Sequence, residues 1–146
     1  MSTSTLPAPG KYLSAGLWAA QILVALVFIA GGLTKLLTPI PQLAAMMAWT
    51  GEYPVAFVRG IGLVDIAGGL GILLPSLTRI LPRLTVLAAL CSVVLQLLAI
   101  GFHASRGEFE ALPLNFVLLP LCVFVLWGRW KRAPIGPRGG PRLHAG

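Results

Sequence analysis

The sequence predicts an all-α integral membrane protein: an up-down bundle of four helices with both termini in the cytoplasm. Three observations carry this. Four apolar runs, residues 15–37, 55–74, 84–102 and 111–127, fill most of the 146-residue chain. A helix rises 1.5 Å per residue, so about 20 apolar residues cross a hydrocarbon core of roughly 30 Å. The chain is 57% apolar and only 10% charged, with a mean hydropathy of +0.88, whereas soluble domains carry about 25% charged residues. Finally, the basic residues stand at the ends of the apolar runs. Barrel strands, the other spanning structure that satisfies every backbone N–H and C=O internally, are excluded because the runs are too long and too rich in leucine.

Each element follows from local signals. The first run is longer than a signal-peptide core and ends in Gly31-Gly32-Leu33-Thr34-Lys35, not in a small-x-small cleavage site, so it reads as a retained helix. Pro39 and Pro41 stop it. Gln42–Trp49 then reads as a short interfacial helix with Trp49 at the headgroup level. Pro54 precedes the second spanning helix, Pro75 closes it, and Pro82 opens the third after a tight hairpin at Arg79 and Arg83. A short polar connection, Ala104–Glu110, leads to the fourth, which contains Pro120 and ends at Trp127, Trp130 and a basic cluster. Short connections make successive helices antiparallel neighbours. The expected domains are a flexible N-terminus (1–14), the spanning domain (15–130) and a basic, disordered tail (131–146) able to touch anionic lipid heads.

The net charge of +7 does not indicate nucleic acid, because its placement is topological. With the N-terminus inside, the inner segments hold Lys11, Arg79, Arg83, Arg129, Lys131, Arg132, Arg138 and Arg142 and no acid. The outer segments hold Lys35, Arg59 and Arg106 against Glu52, Glu108 and Glu110. This is the positive-inside pattern.

Polar residues inside the runs locate the candidate site. Thr85, Ala89, Ser92, Gln96, Ala99 and His103 recur at helical spacing and share one face. Gln21, Ala25, Phe28, Gly32 and Lys35 do the same on the first helix. The second helix offers Gly62, Asp65 and Gly69, and the fourth offers Asn115 and Cys122. Small residues let helices approach and polar ones bond across them, so these stripes face protein. Lys35, Arg59 and His103 fall near the outer face, and Asp65 lies roughly 12 Å below it at 1.5 Å per residue. Gln96 and Asn115 fall in the same half, which suggests an outward-half pocket. Gln21 and Thr85 belong to the inner half and read as plain interhelical bonds.

Asp65 is the sharpest signal, since an acid within a span costs several kcal/mol unless it is paired, protonated or functional. Lys35 is its expected partner and Arg59 the second choice. A structural ion pair is the alternative to a functional acid, and His103, at a helix end, reads first as an interfacial residue and second as a proton carrier. Cys91 and Cys122 form no Cys-x-x-Cys motif and read as small hydrophobes. No phosphate loop, dinucleotide fingerprint, nucleophile elbow or metal-ligand spacing occurs.

Residues 16–130 resemble the DoxX-like family of small bacterial membrane proteins. The resemblance rests on Ala30–Leu36, on Arg59–Pro75 with Asp65 at its centre, on Phe102-His103, on Asn115 and on Trp127-Gly128-Arg129-Trp130. The family usually has Glu at the position of Asp65, so this chain keeps the carboxylate on an arm one methylene shorter. The resemblance implies a four-helix membrane fold, residence in the bacterial cytoplasmic membrane and, for the family's namesakes, a subunit of a thiosulfate:quinone oxidoreductase.

The expected function is thus a quinone-interacting subunit of a membrane redox complex. Asp65 is the candidate catalytic acid, and Lys35, Arg59, Gln96, His103 and Asn115 are the candidate ligand-binding residues. A quinone would be its non-covalent cofactor, with no metal. The chain has no electron carrier of its own, so its partners would be the lipid bilayer, a redox protein and, as a further option, a second copy of the chain; nucleic acid is excluded. A non-enzymatic scaffold docking through Met46, Met47 and Trp49 is the alternative, and a small proton-coupled transporter is a third reading.

Overall fold

A computed structural model describes residues 10–139. The first nine residues of the expected N-terminal segment and residues 140–146 of the expected tail, Arg142 included, lie outside the described residues. Five α-helices follow in order: α1 Lys11–Leu37, α2 Ile40–Met46, α3 Val55–Thr78, α4 Arg83–Arg106 and α5 Leu112–Trp127. Among the described residues there are no strands. α1, α3, α4 and the segment built on α5 are each long and apolar enough to cross a membrane. α3 packs against α1 and α4, and α5 packs against α4 and closes back onto α1, so the four form a ring.

Several boundaries differ from expectation. α1 begins at Lys11, so residues 11–14 continue the helix and are not part of a flexible N-terminus. α3 runs through Pro75 to Thr78. Proline removes a backbone donor and crowds the preceding turn, and here the neighbouring Ile72 carbonyl receives an outside donor, Gln21 Nε2, at 2.8 Å. Residues 131–139 are not a loose tail. Gly128–Arg132 extends α5 as one wide π-helical turn. Beyond it, Arg79 Nε donates to the Gly136 carbonyl at 2.8 Å, and the Arg138 N–H donates to the Arg79 carbonyl at 2.9 Å. These bonds fold the segment back onto the α3–α4 hairpin.

The expected stripes are the buried ones. Gln21, Ala25, Phe28 and Gly32 are buried on α1, and Thr85, Ala89, Ser92 and Gln96 on α4. Leu87, Leu90, Val94, Leu97 and Leu98 of α4 face outward, as lipid-facing residues should. The central core is small: Val24, Phe28, Ile72, Leu118 and Cys122. Lipid takes up the remaining apolar surface, so packing here depends on close backbone approach more than on apolar volume.

That approach is closest between α1 and α3. A Cβ on Gly32 would stand 2.5 Å from the Gly62 carbonyl oxygen, and one on Gly62 would stand 2.9 Å from the Gly32 carbonyl oxygen. One on Gly69 would stand 3.0 Å from the Ala25 carbonyl oxygen. The two backbones are in contact along a glycine seam.

Candidate functional site

The seam sets the geometry of the acid. It brings Lys35 and Asp65 together across α1 and α3, with Nζ to Oδ2 at 2.9 Å and both side chains 14% exposed. The Gly31 carbonyl lies 3.5 Å from the same ammonium. This is the pairing the sequence suggests. Removing the cation leaves a carboxylate in an apolar setting, so Lys35→Met is expected to lower stability by about 2 kcal/mol, less than for a fully buried pair. The double variant Lys35→Met/Asp65→Leu should regain most of that loss. Unfolding by titration with a denaturing detergent measures both.

The other expected site residues do not join this pair. Arg59 Nη1 donates to the Lys35 and Thr38 carbonyls, and so caps the end of α1, where carbonyls lack helical partners. Asn115 Nδ2 donates to the Ala111 carbonyl, one turn back at the start of its own helix, at 3.1 Å. His103 Nδ1 donates to Glu108 Oε2 at 2.7 Å. Gln96 is 4% exposed, and among the described residues its Oε1 has no hydrogen-bond partner; neither does Ser92 Oγ one turn away. Ser92 Oγ would lie 3.6 Å from a Cβ on Gly68, and Ala88 packs similarly on Gly71. This antiparallel register of α3 and α4 puts Gln96 level with Asp65. Of these two orphaned buried oxygens, Gln96 Oε1 thus lies at the depth of the ion pair and Ser92 Oγ about one turn deeper, where most buried polar groups would be satisfied.

A polar and aromatic cap closes this end. Arg106 bridges Glu52 at 2.7 Å and Glu108 at 2.9 Å. The chain enters the cap through Gly107, whose φ of 70° suits a residue without Cβ. Beneath the ion pairs, Trp49 stacks edge-on against Tyr53, Phe57 and Phe102 with centroids 6.0 to 6.4 Å apart. Trp49 is therefore buried in the chain's own aromatic cluster, 6% exposed, because a 3₁₀ turn at Ala48–Gly51 folds it inward.

Burial opposes the Glu108 carboxylate, but hydrogen bonds and charge from His103 and Arg106 outweigh it and hold the carboxyl below its ordinary value of 4.5. A carboxyl lowered on folding adds stability above its unfolded value and loses it as pH falls through the folded one. The cap should therefore hold at neutral pH and loosen in acid below about 4.5. Trp49 fluorescence would report this, and Glu108→Gln should remove the transition.

At the opposite end a second polar cluster is larger than two interhelical bonds. Gln21 Nε2 donates to the Ile72 carbonyl at 2.8 Å and to Ser76 Oγ at 3.0 Å, and Ser76 Oγ lies 2.8 Å from Thr85 Oγ1. Arg129 Nε donates to Gln21 Oε1 at 2.7 Å. In the sequence Arg129 reads as a topological charge and as part of the Trp127–Trp130 segment, not as a bundle-core residue. The signal was present: Asn115, Leu118, Cys122, Val125 and Arg129 continue one face at helical spacing, and all five are buried.

A family model described as the DoxX-like family matches residues 19–125. No curated protein and no solved structure gives a significant match to the chain.

Proposed function

The chain belongs to the DoxX-like family, and on that footing we propose that it is the quinone-interacting subunit of a membrane redox complex, with the Lys35–Asp65 pair as its proton-handling centre. The observation that carries this reading is the ion pair held level with one orphaned oxygen, Gln96 Oε1, with a second, Ser92 Oγ, about one turn deeper. A lone carboxylate–ammonium pair needs no such neighbours. Gln96 Oε1 is an acceptor only, and a hydroxyl of a reduced quinone head is a donor of the right kind. The Lys35 ammonium donates to a carbonyl or phenolate oxygen. Asp65 takes or returns the proton. A quinone supplies two-electron, two-proton chemistry when bound, and the electrons come from a partner protein. The distribution of basic residues supports an orientation with both termini in the cytoplasm of a bacterial cell.

The scaffold reading has less support, because Trp49, one of its three docking residues, is buried in the chain's own aromatic cluster.

Binding of short-tailed benzoquinones and naphthoquinones by protein reconstituted in nanodiscs tests the proposal. Asp65→Asn and Gln96→Leu are each expected to weaken binding about tenfold, the loss of one good hydrogen bond. Gln96→Leu should at the same time raise stability by about 1 kcal/mol, because it removes a buried acceptor without a donor. Wild-type affinity in a folded Asp65→Asn protein would sink the reading.

A further inference from the structure

We propose that the Arg129 end of the bundle is a binding site for a phosphate oxyanion, the chemistry shared by inorganic phosphate and a phospholipid headgroup. The site is distinct from the Lys35–Asp65 pair and does not depend on the reading given for it. A partly open cavity of about 40 Å³ lies there, walled by Ser76, Thr85, Arg83, Arg129, Pro134 and Ile135. That space admits a few waters or the oxygens of one anionic group.

The guanidinium is the reason to expect an anion. Arg129 is 4% exposed. Its Nε bonds Gln21 and its Nη1 bonds the Ala133 carbonyl at 3.1 Å, and the face of Trp18 lies 5.0 Å from its Cζ. Nη2 has no acceptor among the described residues. All these partners are neutral, so a buried cation is left without a counter-charge. Buried charges are normally paired, because desolvation is costly.

The chain's side chains provide no counter-charge. Its four acidic residues are Glu52, Asp65, Glu108 and Glu110. Asp65 is spent on Lys35, while Glu52 and Glu108 are spent on the opposite cap. Glu110 lies in the turn Phe109–Ala111 before α5, at that same far end. The cavity wall itself carries a second cation, Arg83, and the other charges on the segments at this end of the bundle, Arg79, Lys131, Arg132 and Arg138, are of the same sign. The first turn of α4, which starts at Arg83, adds the positive end of its dipole. Ser76 and Thr85 supply hydroxyls at the wall. A planar guanidinium with a free N–H edge, a second arginine at the mouth, hydroxyls and a helix N-terminus form an oxyanion donor set.

The full chain in phosphatidylcholine nanodiscs tests this, with thermal unfolding and Trp fluorescence as readouts. One arm adds inorganic phosphate against chloride at matched ionic strength; the other replaces part of the lipid with phosphatidylglycerol. Stabilisation by phosphate identifies a soluble ligand, and stabilisation only by the anionic lipid identifies a headgroup; either supports the site. Because Arg129→Gln threatens the fold, Arg83→Gln at the exposed mouth is the main variant. It should weaken the effect about tenfold, the loss of one charge-assisted contact. Arg138→Gln, away from the cavity wall, should leave it unchanged. No stabilisation in either arm, or equal losses in Arg83→Gln and Arg138→Gln, would overturn the proposal.

Discussion

Gly32→Val is expected to destabilise the bundle by about 3 kcal/mol, at the upper end for overpacking a rigid site. The added carbon would meet the Gly62 carbonyl oxygen at 2.5 Å, and the backbone N–H of Ile66 at 3.1 Å. Backbone cannot rotate aside as a side chain can, so α1 and α3 must move apart. Separation would also stretch the Lys35–Asp65 contact one turn further along. Gly60→Ala and Gly101→Ala are the matching controls, because a Cβ at either position meets nothing within 4 Å. Both lie in helices without a positive φ and should be neutral or stabilising by up to about 1 kcal/mol. Detergent-titration unfolding of the three variants measures the contrast. A Gly32→Val protein as stable as Gly60→Ala would mean that the seam does not hold these helices together.

Gln21→Leu is expected to cost a similar amount, about 3 kcal/mol, for a different reason. The amide uses both ends: its oxygen accepts from Arg129 and its nitrogen donates to Ile72 and Ser76. Leucine has similar bulk but leaves the guanidinium with one fewer acceptor, and a hydrogen bond to a charged group is worth about 1.5–3 kcal/mol. The loss should be coupled. Gln21→Leu combined with Arg129→Leu should cost less than the two single changes added together, since the second substitution removes the charge that the first strands. Additive losses in that double-mutant cycle would show that the two side chains act independently.

The four spans and their buried stripes were legible because lipid sharpens the pattern: on α4 every position off the Thr85–Gln96 face is free to be Leu, Val or Ile, and most are. The Lys35–Asp65 pair was legible because a carboxylate in a span needs a cation and few were within reach. Convergence of the remaining candidates was not legible. Spacing gives the face on which a residue lies, but not how far its helix is rotated or what competes for it. Arg59 is taken by the open carbonyls at the end of α1, Asn115 by a carbonyl one turn back, and His103 by Glu108 just past the end of its helix. The burial of Trp49 was not legible for a related cause: its partners, Tyr53, Phe57 and Phe102, come from the loop before α3, from α3 and from α4, and only the folded chain assembles them. Arg129 was hidden by its neighbours. Between Trp127 and Trp130, and before Lys131 and Arg132, it looked like one more interfacial anchor.

Locking two backbones together also determines which parts of the molecule can move. With α1 and α3 fastened along their glycines, these two are expected to move relative to each other less than α4 and α5 do. On the proposed function, a hydrophobic guest diffusing sideways out of the acyl chains is therefore expected to enter by way of α4, the helix that carries the orphaned oxygens of Ser92 and Gln96. A cross-link between α1 and α3 should leave such traffic intact, whereas one between α3 and α4 should stop it.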